Sequence, residues 1–430
     1  MGLKSKWNRR GFLGSMGVVA GSILSGSSLS GSILAPRRLF GRTRAAAGTT
    51  APVSGFGKTG NPYEELGVTT VINCEGTMTM LGGSLPHPDL EAVMTMAGRH
   101  FVSIPELEVA AGKRIAEMLK LQDGYTALVT SGAAAAIQSG LAGILTGGNE
   151  TFIRQLPDLT GMKSEVIIQK SHRNPFDHQL RSTGIKLIEI ETVDQLRAAV
   201  NERTAMMHFS NFANAAGQIK VDEWVKLAKQ YNVPCMNDAA ADTPPVSHLW
   251  DYTNMGYDLV TFSGGKAIRG PQCAGLLIGR NDLVANALLN NSPHEDTLGR
   301  SQKVGKEEIV GMVKALELFL AEDHEALAKG WQERLEGISR ELTKVPGVST
   351  SFFVPDIANH VPHMSITWDE ARISLTPQQA SKLLRNSKPS IVIGSGEGRP
   401  GLAMNSFMLQ PGEDKIVAEQ LSRVLREHAA

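Results

Sequence analysis

The stretch YDLVTFSGGKAIRGPQCAGLLIG, residues 257–279, reads as an apolar strand, a Ser-Gly-Gly-Lys turn, a Gly-Pro pair and a second apolar run. It places one lysine, Lys266, between two buried strands and removes bulk from the loop around it. Similar apolar runs lie at 127–130, 166–169, 185–190, 204–210, 233–237, 258–262 and 273–278, with helical patterns such as 132–145 and 222–231 between most of them. Continuous rather than alternating apolar strands, separated by helices, predict an α/β fold whose mostly parallel sheet is covered on both faces.

The rhythm changes near residue 305. Val313, Leu316, Leu320, Leu327, Trp331, Leu335, Ile338 and Leu342 fall at three- and four-residue steps or their multiples, which predicts one long amphipathic helix, with or without a kink. Short strands at 349–354, 363–368, 391–394 and 401–408 and helices at 376–386 and 412–427 follow. The expected division is a leader over 1–47, a linker over 48–70, a large domain over 71–304, and a connecting helix with a small α+β domain over 305–430.

The leader contains Arg9-Arg10, then Phe12-Leu13, then a charge-free stretch to Ala35 and AAA at 45–47. This pattern predicts a twin-arginine export signal with cleavage near 47 and a periplasmic enzyme; the competing reading is an uncleaved N-terminal membrane anchor. Residues 1–47 hold eight basic residues and no acidic one, so the remainder carries 35 basic against 43 acidic residues, a formal charge of −8. Export and net acidity both disfavour a nucleic-acid partner. Three scattered cysteines (Cys74, Cys235, Cys273) suit neither a disulfide framework nor a metal site.

Lys266 follows a strand end, where ligands of open parallel sheets gather. A desolvated lysine loses proton affinity and becomes nucleophilic toward a carbonyl, as an aldehyde cofactor requires. Three other strand ends add to it. VPCMNDAAAD ends on Asp238, an anion suited to a buried ring nitrogen or, blandly, a helix cap. VTSGAAAA places Ser131, Gly132 and Ala133 at a helix start, where free N–H groups suit a phosphate, although the alanines also suit tight packing. HFSNFANAAG ends on Ser210-Asn211, polar groups able to reach a phenolic oxygen or to close a turn.

With VINCEGTMTMLGG, FSGGKAIRGPQCAGLLIG and GRSQKVGKEEIVGMVKALE, these segments run from about 66 to 320. The chain resembles the fold-type-I pyridoxal-phosphate enzymes, in the branch holding bacterial selenocysteine synthase (L-seryl-tRNA(Sec) selenium transferase) and D-glucosaminate-6-phosphate ammonia-lyase. The resemblance implies that Lys266 forms a Schiff base with pyridoxal 5'-phosphate and that Asp238 pairs with its ring nitrogen. Ser131, Gly132, Ala133 and Ser263 would hold the phosphate, Asn211 would bond the ring hydroxyl side, and His172 would stack on the ring. His172 and the nearby His178 are equally readable as structural histidines. Arg300, Lys303 and Lys306 fall where a neighbouring subunit contributes to such sites, and Arg372 and Arg399 are candidates for a substrate carboxylate. The implied assembly is a homodimer or higher homo-oligomer.

Synthases that serve a tRNA carry extra N-terminal structure where this chain has a leader. The expected chemistry is therefore smaller: β-elimination of an ammonia-lyase kind, or transamination or β-replacement, on a small amino acid or amino sugar. A serine hydrolase reading of Ser263-x-x-Lys266 fails, because two glycines and Gly270-Pro271 oppose the helix that motif needs. The pairs His172/His178 and His360/His363 lack further ligands in a metal-binding pattern. A non-catalytic binding protein on the same fold is the remaining alternative.

Overall fold

The computed structural model describes residues 60–356, 358–395 and 399–429. The leader with Arg9-Arg10 and most of the 48–70 linker lie outside the described residues. The chain enters through β1 (Val71–Asn73). It then builds β2 (Tyr125–Thr130), β3 (Glu165–Gln169), β4 (Lys186–Ile190), β5 (Thr204–Ser210), β6 (Cys235–Asp238), β7 (Leu259–Ser263) and β8 (Gly275–Arg280). The last seven form one sheet in the order β2-β8-β7-β6-β5-β3-β4, in which only β8 runs antiparallel. The expected α/β architecture is the one observed.

Its central strands are buried along nearly their whole length because both faces are covered, whereas the edge strand β4 exposes Lys186 and Glu189. Val129, Ile167, Met207, Cys235, Val260 and Leu276 point into one core. Their chain neighbours Leu128, Val166, Met206, Met236, Leu259 and Leu277 point into the other. Successive side chains of a strand alternate faces, so neither face can be polar here.

The expected single long helix is two, Lys306–Ala321 and His324–Leu342. Glu322 is extended (ψ 146°), and Asp323 Oδ1 accepts the Ala326 N–H at 3.0 Å, restarting the helix with a cap. The apolar spacing runs across this break because both helices present apolar faces, so periodicity alone does not reveal it.

The smaller layer contains β9 (Val348–Phe353), β10 (His363–Trp368), β11 (Ser390–Val392), β12 (Gly394–Ser395) and β13 (Leu402–Asn405). Four of these make an antiparallel sheet, β12-β13-β10-β9. β11 instead pairs in parallel with β1, and Ile72 and Cys74 join the core of Leu335, Met364, Ile391 and Leu421. Packing thus assigns residues 71–74 to the smaller layer, not to the large domain in which the expected division placed them. Among the described residues no helix is long and apolar enough to cross a membrane, and Cys74, Cys235 and Cys273 are unpaired thiols.

The helix Ile104–Leu119 lies against β2 so closely that a Cβ on Gly112 would sit 2.1 Å from the Ala127 carbonyl oxygen. Glu108 of the same helix is 2 % exposed, and its Oε2 accepts the Val129 N–H at 3.2 Å. Burial pushes its carboxyl up to about 8, against the smaller opposing effect of that hydrogen bond.

Two outcomes follow for this contact. Gly112→Ala should destabilise the fold by about 1–3 kcal/mol in urea unfolding, since backbone cannot yield as a side chain does. Glu108 keeps its proton when folded and releases it near 4.5 when unfolded, so its contribution is full below that pH and is lost as pH rises through about 8. Glu108→Gln should therefore gain on the parent protein across that window, by up to about 5 kcal/mol at its upper end. Parallel pH-stability curves for the two proteins would refute the assignment.

Candidate active site

Parallel pairing aligns the carboxyl ends of β5, β6 and β7 along one sheet edge. Ser210 is in register with Asp238, and Asp238 with Thr261. Asn211, Asp238 and the Ser263–Lys266 turn therefore emerge side by side, although they span 56 positions of sequence. The end of β2, running the same way, adds Ser131, Gly132 and Ala133.

Lys266 is largely enclosed. Burial lowers its proton affinity, while Asp238 and Asp242 act in the opposite direction. Asp238 is 5 % exposed; its Oδ1 accepts from Ala240 N at 3.2 Å and from Thr261 Oγ1 at 3.3 Å. Burial raises its pKa, and the Lys266 ammonium opposes that. An amine and a carboxylate at adjacent strand ends thus stabilise each other's charged forms in a place where neither is well hydrated.

The helix Ala133–Thr146 starts with no side-chain cap. Its N-cap, Gly132, has φ +93° and ψ 166°, a conformation that side chains disfavour. The Gly132 N–H goes to the Thr130 carbonyl at 2.8 Å, and with no side-chain cap the first helical N–H groups are of the kind that suits an anion. Ser263 is half-buried, and its N–H donates to Ala240 O at 3.2 Å, tying the lysine turn to the loop after Asp238.

The glycines beside Lys266 are required by protein contacts. A Cβ on Gly264 would meet Met312 Sδ at 2.3 Å and Ala274 O at 2.9 Å, and one on Gly265 would meet Gln272 Cα at 2.7 Å. Protein packing, not clearance for a ligand, removes these side chains. Residues 82–87 press on the same turn: Ser84 donates to Gly265 O from both N (2.9 Å) and Oγ (3.0 Å). His87 N donates to Arg269 O at 3.0 Å, and Arg269 Nε returns a bond to Leu85 O at 3.0 Å.

Behind Asp238 lies a group that sequence reading missed. Asp242, 1 % exposed, accepts through Oδ2 from Asn211 Nδ2 and from Tyr252 Oη at 3.1 Å. Asn211 Nδ2 also donates to Tyr252 Oη at 2.7 Å, which leaves its buried Oδ1 without a partner. Both N–H bonds of Asn211 are engaged within the protein, so the donor expected to face a phenolic oxygen is in use. Asp242 closes the DAAAD segment; nothing in its spacing separates it from a surface residue.

The other candidates are dispersed. His172 is fully buried, with the Phe209 ring edge-on at 4.5 Å and the Ser210 N–H donated to its Nδ1 at 3.2 Å. Burial pushes it down to about 4, so the ring is neutral. His178 is exposed beside Arg181. Arg300 is half-buried and Lys303 exposed, ahead of Lys306, which pairs with its neighbour Glu307. Arg372 is spent on a surface pair with Asp369 at 3.7 Å. Arg399 lies 4.0 Å over the Phe353 ring, and His363 stacks on the same ring at 5.2 Å. Among the described residues no group of three metal-ligating side chains occurs.

The sequence pattern of the aminotransferase class-V family matches residues 106–352, more than half of the chain. D-glucosaminate-6-phosphate ammonia lyase of Salmonella typhimurium is 26 % identical over 384 residues, covering 86 % of this chain and 100 % of that protein. A 5'-C-glycyluridine monooxygenase-decarboxylase of Streptomyces is 27 % identical over 380 residues, covering 85 % and 92 %. L-seryl-tRNA(Sec) selenium transferase of Moorella thermoacetica is 26 % identical over 417 residues, covering 85 % and 84 %. A solved structure of D-glucosaminate-6-phosphate ammonia-lyase superposes with a TM-score of 0.74 at 24 % identity, over 86 % of this chain and 99 % of that one, and so shares the fold. The chain belongs to the aminotransferase class-V family and is a pyridoxal-phosphate-dependent enzyme related to D-glucosaminate-6-phosphate ammonia lyase.

Proposed function

We propose that the chain is a lyase of the ammonia-lyase kind, acting through Lys266 on a small amino acid or amino sugar by β-elimination. Transamination and β-replacement are the neighbouring outcomes of the same site. The observation that carries the reading is the placing of the Lys266 amine and the Asp238 carboxylate, each acting on the other's charge, at adjacent strand ends beside an uncapped helix start. The fit to the cofactor is chemical: an amine for its aldehyde, a buried carboxylate for its ring nitrogen, free N–H groups for its phosphate and an unpartnered buried oxygen on Asn211. Full-length similarity to an ammonia lyase supports elimination over the alternatives.

The bound cofactor supplies an electron sink for charge developing beside the substrate's amine. Lys266 Nζ, its proton affinity reduced by burial, would hold the cofactor's aldehyde carbon and, once freed when the substrate's amine takes its place, would accept the proton from the carbon that bears that amine. Asp238 holds a proton on the ring nitrogen. Ser131, Gly132, Ala133 and Ser263 would hold the phosphate, while His172, fully enclosed against Phe209 and the Ser210 N–H, would support the β5 end. Arg399, with Arg300 and Lys303 of a neighbouring subunit, is assigned to the substrate's anionic group. The net charge of −8 outside residues 1–47, with the export signal that the Arg9-Arg10 pattern predicts, supports a small-molecule substrate outside the cytoplasm over a tRNA. A second copy is the proposed partner: Met80, Phe101 and Val109 expose 93 %, 104 % and 65 % of their surface within one N-terminal segment.

Two measurements test these readings. The purified protein should show a visible cofactor band that borohydride bleaches and Lys266→Ala lacks, with turnover in that variant reduced about a thousandfold or more. A protein that stays colourless with added pyridoxal phosphate would return the chain to a binding role. Sedimentation should show a dimer or larger assembly that Phe101→Asp weakens; a monomer at working concentration would remove the neighbouring-subunit assignments.

A further inference from the structure

Asn211, Asp242 and Tyr252 form a closed triangle behind the strand ends. The amide's two N–H bonds go to Asp242 Oδ2 and Tyr252 Oη, and the tyrosine hydroxyl goes to the same carboxylate oxygen. The group is locked from outside as well, because His248 Nδ1 lies 2.7 Å from the Asp242 carbonyl oxygen and within 3.4 Å of Tyr252 Oη. The small layer covers it: Asn359 N donates to Ala241 O at 2.8 Å, from a turn in which Ala358 and Asn359 both have positive φ (56° and 49°). A carboxylate accepts only, so the amide beside it can face it only through nitrogen. Asn211 Oδ1 is then left buried and unpartnered, and such an atom costs free energy unless a ligand satisfies it.

We propose that Asp242 is a positioning residue which fixes the Asn211 amide so that an acceptor, Oδ1, and not a donor, meets the ring hydroxyl of the cofactor. The inference rests on the cofactor site proposed above. An acceptor at that oxygen holds its proton in place, whereas a donor would favour the ionised oxygen. Asp242 thereby influences the protonation of the bound cofactor without touching it. The charged and titratable groups around it are Asp238 from β6, Lys266 from the turn after β7, and Tyr252 and His248 from the helix His248–Met255. Burial pushes Asp242 itself up to about 7, while the bonds from Asn211 and Tyr252 oppose the rise.

The test is a double-mutant cycle read on the visible band of the cofactor-loaded protein, titrated with pH. Asp242→Asn removes the acceptor-only neighbour and frees the Asn211 amide to turn. The expected result is a fall of about one unit in the pH midpoint of the band, with no further fall when Asp242→Asn is added to Asn211→Ala. Equal falls in both backgrounds would mean that Asp242 acts by charge alone, and no fall in either would mean that it does not act on the cofactor; each overturns the proposal. Thermal melting of the cofactor-free proteins separates these outcomes from misfolding. If Asp242→Asn does not fold, Tyr252→Phe, which keeps the carboxylate and removes one acceptor from the amide, serves in the same cycle with a smaller shift expected. A wild-type protein without a band that Lys266→Ala lacks would instead sink the cofactor site, and this inference with it; a normal band with additive shifts would sink only the inference.

Discussion

One ammonium and two carboxylates held out of water at a single sheet edge are the constraint on which the remainder of this structure depends. An isolated buried charge is expensive, and each of Lys266, Asp238 and Asp242 is driven by burial toward its neutral form. The attraction of Lys266 for each carboxylate offsets part of that cost, against the repulsion between Asp238 and Asp242, only while β6 and β7 stay in register. Thr261 on β7 bonds Asp238 on β6, so the strand pairing also holds the carboxylate at the edge from which the lysine turn emerges.

The surrounding elements can be understood as support for that edge. Residues 82–87 hold the lysine turn through the Gly265 and Arg269 carbonyls, and the helix Lys306–Ala321 presses Met312 against Gly264. The small layer reaches the Asp238–Asp242 loop through Asn359. Two segments far apart in the chain thus meet at the lysine turn and a third at the neighbouring loop, which ties the position of the amine to the packing of distant parts of the molecule. The relatives named above bear different reaction names on a shared chain plan. Such variety is expected where the fold supplies the cofactor edge and the substrate side differs.

Much of this was readable from the chain. The seven apolar runs became the seven strands of the large sheet, because strands covered on both faces need apolar side chains pointing both ways along most of their length. Lys266, Asp238, Asn211 and the Ser131–Ala133 turn each follow such a run, so their common edge follows from parallel pairing. The break at Glu322-Asp323 escaped because both helices keep the same apolar spacing. The pairing of β1 with β11 escaped because three residues carry no periodicity.

By itself the sequence determined the sheet, the strand ends and the polar residues that close them, since local pattern and burial of both faces leave little choice. It also supplied the glycines around Lys266, but not their reason, which is contact with Met312, Ala274 and Gln272. Tertiary structure alone decided that Asp242 and Tyr252 turn the Asn211 amide, that Arg372 faces Asp369 at the surface, and that His172 is fully enclosed. Hydrogen-bond direction and enclosure depend on which segments meet in space. Spacing along a chain carries no record of that meeting.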